Sequence, residues 1–127
     1  MIKNLICTVG TSLFSNLNRL KEKTESDFEK AIFSAYQSQD WKKVTNSLLN
    51  VDSNERICGA EINSISSMTA RKFIRDDCHL FFCHSDTQDG VEISSILNNY
   101  YQNYGYTVST LKIKDLQDDK PEKFSSN

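Results

Sequence analysis

Gly10, Thr11 and Ser12 follow directly on the apolar run Ile2 to Val9. Glycine lets a ligand come close to the backbone, and hydroxyls next to exposed N–H groups can hold phosphate oxygens. An ordinary strand-to-helix turn has the same appearance, and the three residues alone leave both readings open. The stretch is not GxGxxG, and no Gly-Lys-Ser/Thr follows to make a P-loop. A second group, Asp86, Thr87, Asp89 and Gly90, lies in the loop SDTQDG that follows HLFFCH. These residues could contact a ligand or a metal, and the same types cap helices, two roles that can coexist. GAEINS, residues 59 to 64, puts Glu61 and Asn63 at the start of an amphipathic stretch. Its plain reading is an acid placed in a helix first turn to complement the dipole.

CHLFFCH, residues 78 to 84, has the composition of a metal site. Strand geometry argues against one, because His79 and Cys83 share a face yet stand roughly 13 Å apart at ~3.3 Å per residue. One ion cannot bridge that distance, so the cysteines read as packing residues and neither metal nor cofactor is expected. Serine, histidine and aspartate are all present, but no G-x-S-x-G elbow is, and His84 beside Ser85 and Asp86 cannot form a triad by adjacency.

Positioning these groups requires strands and helices in alternation. IKNLICTV, residues 2 to 9, reads as a buried strand. Residues 14 to 25 carry loop or helix-start character. Ser26 and Glu29 fit a capping box for a helix to about Gln39, with Phe28, Ile32 and Ala35 on its stripe. Asp40 can cap a second helix bearing Trp41, Val44 and Leu48 on one face, ended by VDSNER. A third helix is predicted over about 59 to 74, with Ile62, Ile65 and Met68 on one side. HLFFCH is apolar throughout, as expected of a strand covered on both faces. A fourth helix turns Ile93, Ile96, Leu97, Tyr100, Tyr101 and Tyr104 inward, with Gly105 as its C-terminal left-handed residue. The tyrosines read as core and interface groups rather than a base-stacking platform. YTVSTLKI, residues 106 to 113, is the third strand, and DLQDDKPEKFSSN is a polar tail without a further element.

The order β–ααα–β–α–β implies parallel pairing with right-handed crossovers. Ligands of such sheets bind off the carboxyl ends of the strands, so the loops 10–16 and 84–90 should share one rim. Three strands make a small sheet, and more chain or a partner subunit is expected to complete it.

The chain has 127 residues, enough for one domain. Apolar residues make up 38% and charged ones 25%, which fits a globular protein and not a disordered one. The formal charge of −2 disfavours a surface that tracks a long nucleic acid, but not a small phosphate ligand held by backbone N–H groups. No apolar run approaches the ~20 residues of a membrane helix. The start passes directly into a strand, so no signal peptide is expected, and four cysteines without secretory features fit a reducing, cytoplasmic setting.

Four segments in order, ICTVGTSLFSN, CGAEINSISSM, FFCHSDTQDG and LKIKDLQDDKPEKF, together resemble CARF domains, the CRISPR-associated Rossmann fold. The likeness covers essentially the whole chain and is nearest to the group whose domain carries a GAEINS-type helix. It implies a Rossmann-like three-layer α/β fold with a mostly parallel sheet, and one CARF-like domain over residues 1–127. It also implies a homodimer that senses cyclic oligoadenylates, the second messengers of type III CRISPR antiviral defence, with the ring lying across the dimer axis. On that likeness Gly10, Thr11, Ser12 and Leu13 carry the first ligand motif, with Asn16 close by. Ser85, Asp86 and Thr87 line the same pocket, and Glu61 and Asn63 join them. Some relatives also cut their ring by metal-independent attack of a ribose 2′-hydroxyl, and Thr11 and Ser12 would then orient that attack. A third possibility is a dimerisation module that binds no nucleotide, associating near Tyr100 and Tyr104. The chain departs from the family pattern after DKPEKF. A further helix and strand, a second ligand loop with glycines and a lysine, and an effector domain would normally follow, so the domain reads as C-terminally truncated.

Overall fold

The computed structural model describes residues 1–114; the tail DLQDDKPEKFSSN lies outside the described residues. Three strands, β1 (Ile2–Thr8), β2 (Ile74–Ser85) and β3 (Thr107–Ile113), form one sheet in the order β1-β2-β3. Both pairings are parallel, with Leu5 beside Leu80, Cys7 beside Phe82, and Phe82 beside Thr110. Four helices join β1 to β2: α1 (Ser12–Arg19), α2 (Asp27–Gln37), α3 (Trp41–Leu49) and α4 (Ala60–Ala70). A 3-10 turn, Arg56–Cys58, precedes α4, and α5 (Gln88–Asn103) joins β2 to β3. This alternation is a Rossmann-like α/β arrangement, as the sequence predicts.

Local signals explain most of the element ends. Ser26 Oγ accepts the Glu29 N–H while Glu29 reaches back to the Ser26 N–H, so the capping box of α2 is complete. Asp40 caps α3 through the Lys43 N–H. Gly105, at φ 91°, turns the chain out of α5 into β3.

Three details differ from the sequence reading. Residues 12–19 are helical, because Leu13, Phe14 and Leu17 form a buried stripe that outweighs their polar neighbours. The helix predicted to 74 stops at Ala70, and β2 begins at Ile74 after Lys72 takes a left-handed conformation at φ 59°. Tyr104 is 55% exposed, one step past the stripe that buries Tyr100 and Tyr101.

The core lies on one face of the sheet. Leu5, Cys7, Cys78, Leu80, Phe82 and Val108 meet Leu17, Ile32, Val44, Leu48, Ile62, Ile93 and Leu97 from the helices. On the opposite face Phe81 is half-buried, and Ile6, Leu111 and Ile113 are exposed. Among the described residues the central strand is therefore covered on one face, not two. HLFFCH is apolar on both sides, but the core built by the helices lies on the side of Leu80 and Phe82, with α4 and α5 directly against β2.

Candidate anion-binding rim

β1 ends where the Val9 N–H donates to Cys83 O at 2.8 Å, which sets the loop 10–12 against the end of β2. Thr11 is the N-cap residue of α1, but its hydroxyl makes no capping bond, and no side chain among the described residues occupies the first N–H groups of this helix. Thr11 is exposed and Ser12 half-buried. Ser12 Oγ accepts the Ala60 N–H at 2.9 Å, which spends a lone pair and leaves the hydroxyl proton for another acceptor. The Leu13 side chain is buried in the core, so this residue offers the rim only its backbone. Asn16 donates its side-chain amide to Arg56 O at 2.7 Å, tying α1 to the 3-10 turn.

The start of α4 is brought to the same place. Gly59 has φ 89° and ψ 168°, a conformation reserved for glycine. A Cβ there would lie 3.2 Å from the Leu13 backbone, so glycine also permits the close approach of α4 to α1. The Gly10 N–H donates to Glu61 Oε1 at 3.2 Å. Asn63 donates to Ser53 O at 2.8 Å and Glu55 O at 2.9 Å, which braces the loop before α4. Two helix amino termini thus converge, each equivalent to roughly half a positive charge. Glu61 stands between them. Beneath the rim, burial and then the charge of Glu61 push the Cys7 thiol up to about 11, which keeps it protonated and unreactive near neutral pH.

The loop after β2 is closed within itself. Ser85 and Thr87 share a hydroxyl–hydroxyl hydrogen bond of 2.7 Å, and Thr87 Oγ1 accepts the Gly90 N–H at 3.1 Å as the cap of α5. Capping is thus the role the structure assigns to Thr87, while Asp86 and Asp89 are exposed. His84, set aside in the sequence reading, sits buried at the end of β2 on the helix-covered side. Its Nδ1 lies 2.8 Å from Ser85 O, which can only accept, so Nδ1 carries the proton and Nε2 a lone pair in the neutral ring. Alternation with Leu80 and Phe82 was the signal that could have placed it there.

The remaining candidate groups lie elsewhere. His79 bonds to Ser109 at 2.7 Å and stacks on Phe81 at 4.0 Å on the open sheet face, while Cys78 is buried in the core. Tyr100, Tyr101, Tyr104 and Tyr106 line a cavity of about 300 Å³ with the carboxyl half of α4, at the amino end of the sheet and away from the rim. Among the described residues no group of three or more His, Cys, Asp and Glu side chains could hold a metal ion. No helix among them is long and apolar enough to cross a membrane.

Comparison with known proteins supplies the context for this rim. The family model for CRISPR-associated protein (Cas_APE2256) matches residues 56–127, more than half of the chain. The chain belongs to the Cas_APE2256 family of CRISPR-associated proteins. The match takes in the start of α4 with Glu61 and the loop after β2, while the loop 10–12 precedes it. No curated protein matches the chain.

Proposed function

We propose that this Cas_APE2256-family chain is a CARF-type sensor domain of type III CRISPR antiviral defence. It binds a cyclic oligoadenylate, tetra- or hexameric, across the axis of a homodimer. The observation that carries this reading is the meeting of the α1 and α4 amino termini at Gly10–Ser12, with the N–H groups of α1 uncapped by any side chain among the described residues. In a CRISPR-associated protein, a small anionic nucleotide is the ligand such a rim suits. Phosphates of the ring lie on the first turn of α1, held by backbone N–H groups and the Thr11 and Ser12 hydroxyls. Leu13 contributes its N–H. Asn16 and Asn63 hold the rim in shape, and Ser85, Asp86 and Thr87 form its further wall.

Ring cleavage is a second reading, favoured by one feature. The Ala60 N–H fixes Ser12 Oγ, so its proton can be aimed at a phosphate oxygen on which charge develops as a 2′-hydroxyl attacks. The test is native mass spectrometry of the chain with cyclic tetra- and hexa-adenylate, with linear oligoadenylate as control. A dimer carrying one ring is the expected result. Cleavage by 2′-hydroxyl attack breaks a P–O5′ bond and leaves a 2′,3′-cyclic phosphate and a 5′-hydroxyl without change of mass, so it is read by chromatography of the released ligand or, after a second cut, as fragments of the ring. A folded chain that takes up neither ring contradicts the proposal.

A further inference from the structure

Among the described residues, Glu61 is the one acidic side chain of the rim that reaches across to the Gly10–Ser12 loop. Its Oε1 accepts the Gly10 N–H at 3.2 Å, and Gly10 is its one hydrogen-bond partner among the described residues. It is half-buried in the first turn of α4, and Gly59 fixes that turn against Leu13. A carboxylate only accepts hydrogen bonds. Next to a bound phosphate it repels, so whatever part of a ligand meets Glu61 must present a donor.

We propose that Glu61 reads the ribose 2′-hydroxyl of the ring and so selects a ribonucleotide over a deoxyribonucleotide ligand. The inference rests on the reading of the rim as a cyclic oligoadenylate site. An adenylate ring offers two kinds of donor, the adenine amino group and the 2′-hydroxyl. The amino group is at the far edge of the base. The 2′-hydroxyl is on the carbon next to the one that bears the 3′-phosphate. Glu61 is bonded to the same loop whose N–H groups take the phosphate, so the donor that arrives with that phosphate is the 2′-hydroxyl. The attraction of the two helix ends holds the phosphate, and the carboxylate sorts the sugar. A deoxy ring leaves Glu61 facing a phosphate-bearing ligand without a donor. The loss of one hydrogen bond to a charged group corresponds to roughly 10-fold or more in affinity.

The test is calorimetric titration of the full chain with cyclic tetra- and hexa-adenylate and with their all-2′-deoxy counterparts. Wild type, Glu61→Gln and Glu61→Ala are compared, with a melting curve for each. Glutamine keeps an acceptor for the Gly10 N–H, so the loop stays closed while the charge is lost. Wild type is expected to prefer the ribose ring by about 10-fold or more. Both variants are expected to bind the two rings within about 3-fold of each other, with the deoxy ring bound as tightly as by wild type or more so. Wild type without a ribose preference, or folded variants that retain all of it, overturns the role of Glu61 while leaving the sensor reading standing. Wild type that binds neither ribose ring overturns the sensor reading itself.

Discussion

Two loops leave the carboxyl ends of adjacent strands, and each opens a helix. They treat the helix amino terminus in opposite ways. After β2, Thr87 caps α5 through Gly90 and bonds to Ser85, so the turn satisfies itself within a few residues. After β1, Thr11 leaves α1 uncapped, and the loop is held by residues some fifty positions later: Ala60 on Ser12, and Glu61 on Gly10. A self-capped terminus has spent its best-placed acceptor on its own donors. An uncapped one, fixed from outside, keeps its donors for a ligand at no cost in order. On the proposed sensor reading and this comparison, the ring's phosphates belong on α1, and the loop after β2 is a wall.

The largest expected effect comes from the uncapped side. Thr11→Ala with Ser12→Ala removes the two hydroxyls proposed to hold phosphate and should weaken ring binding by about 100-fold or more, read by calorimetry. Thr87→Ala should leave the affinity within about 3-fold and cost about 1 kcal/mol of stability, read by urea denaturation. Equal losses of affinity from the two changes would break the comparison.

The glycines sharpen it. Gly59→Ala puts a side chain into a glycine-only conformation 3.2 Å from Leu13. It should cost about 1–3 kcal/mol and weaken ring binding as well, because α4 can no longer approach α1. Gly90→Ala places a Cβ 2.6 Å from Ser85 Oγ and 2.9 Å from Ser85 O. It should cost about 1–3 kcal/mol without a comparable loss of affinity.

The smallest effect is alkaline. The Cys7 and Cys58 thiols are pushed from 9.0 up to about 11 on folding, chiefly by burial. Burial also raises the Tyr100 and Tyr101 phenols above their ordinary 10.0. The unfolded chain therefore releases these protons first, and stability present below pH 9 should fall as the pH rises toward 11. Denaturation midpoints at pH 8 and pH 10 check the sign. Cys7→Ser should flatten part of the slope, since it removes a thiol beneath the rim.

The parts of this molecule that could be read from the sequence are those set by neighbours in the chain. The Ser26–Glu29 box, the Asp40 cap, the Gly105 turn and the alternation of strands and helices all act over a few residues. They were enough to place both loops on one rim. α1 escaped because its serines and asparagines are poor helix formers, and its three buried apolar residues begin at the very turn that reads as a loop. The one-sided sheet escaped because HLFFCH presents apolar residues on both faces, Leu80 and Phe82 on one and Phe81 and Cys83 on the other, and a single strand does not say which face its helices choose. The pairing of Gly10 with Glu61 has no local signal at all, being made by chain topology and by the space that Gly59 leaves.

The most direct test is hydrogen–deuterium exchange of the chain with and without a saturating cyclic oligoadenylate. The account predicts slowed exchange at the N–H groups of residues 10–14 and around 59–62, with little change at 87–91. Protection concentrated at 87–91, with residues 10–14 unaffected, would contradict it.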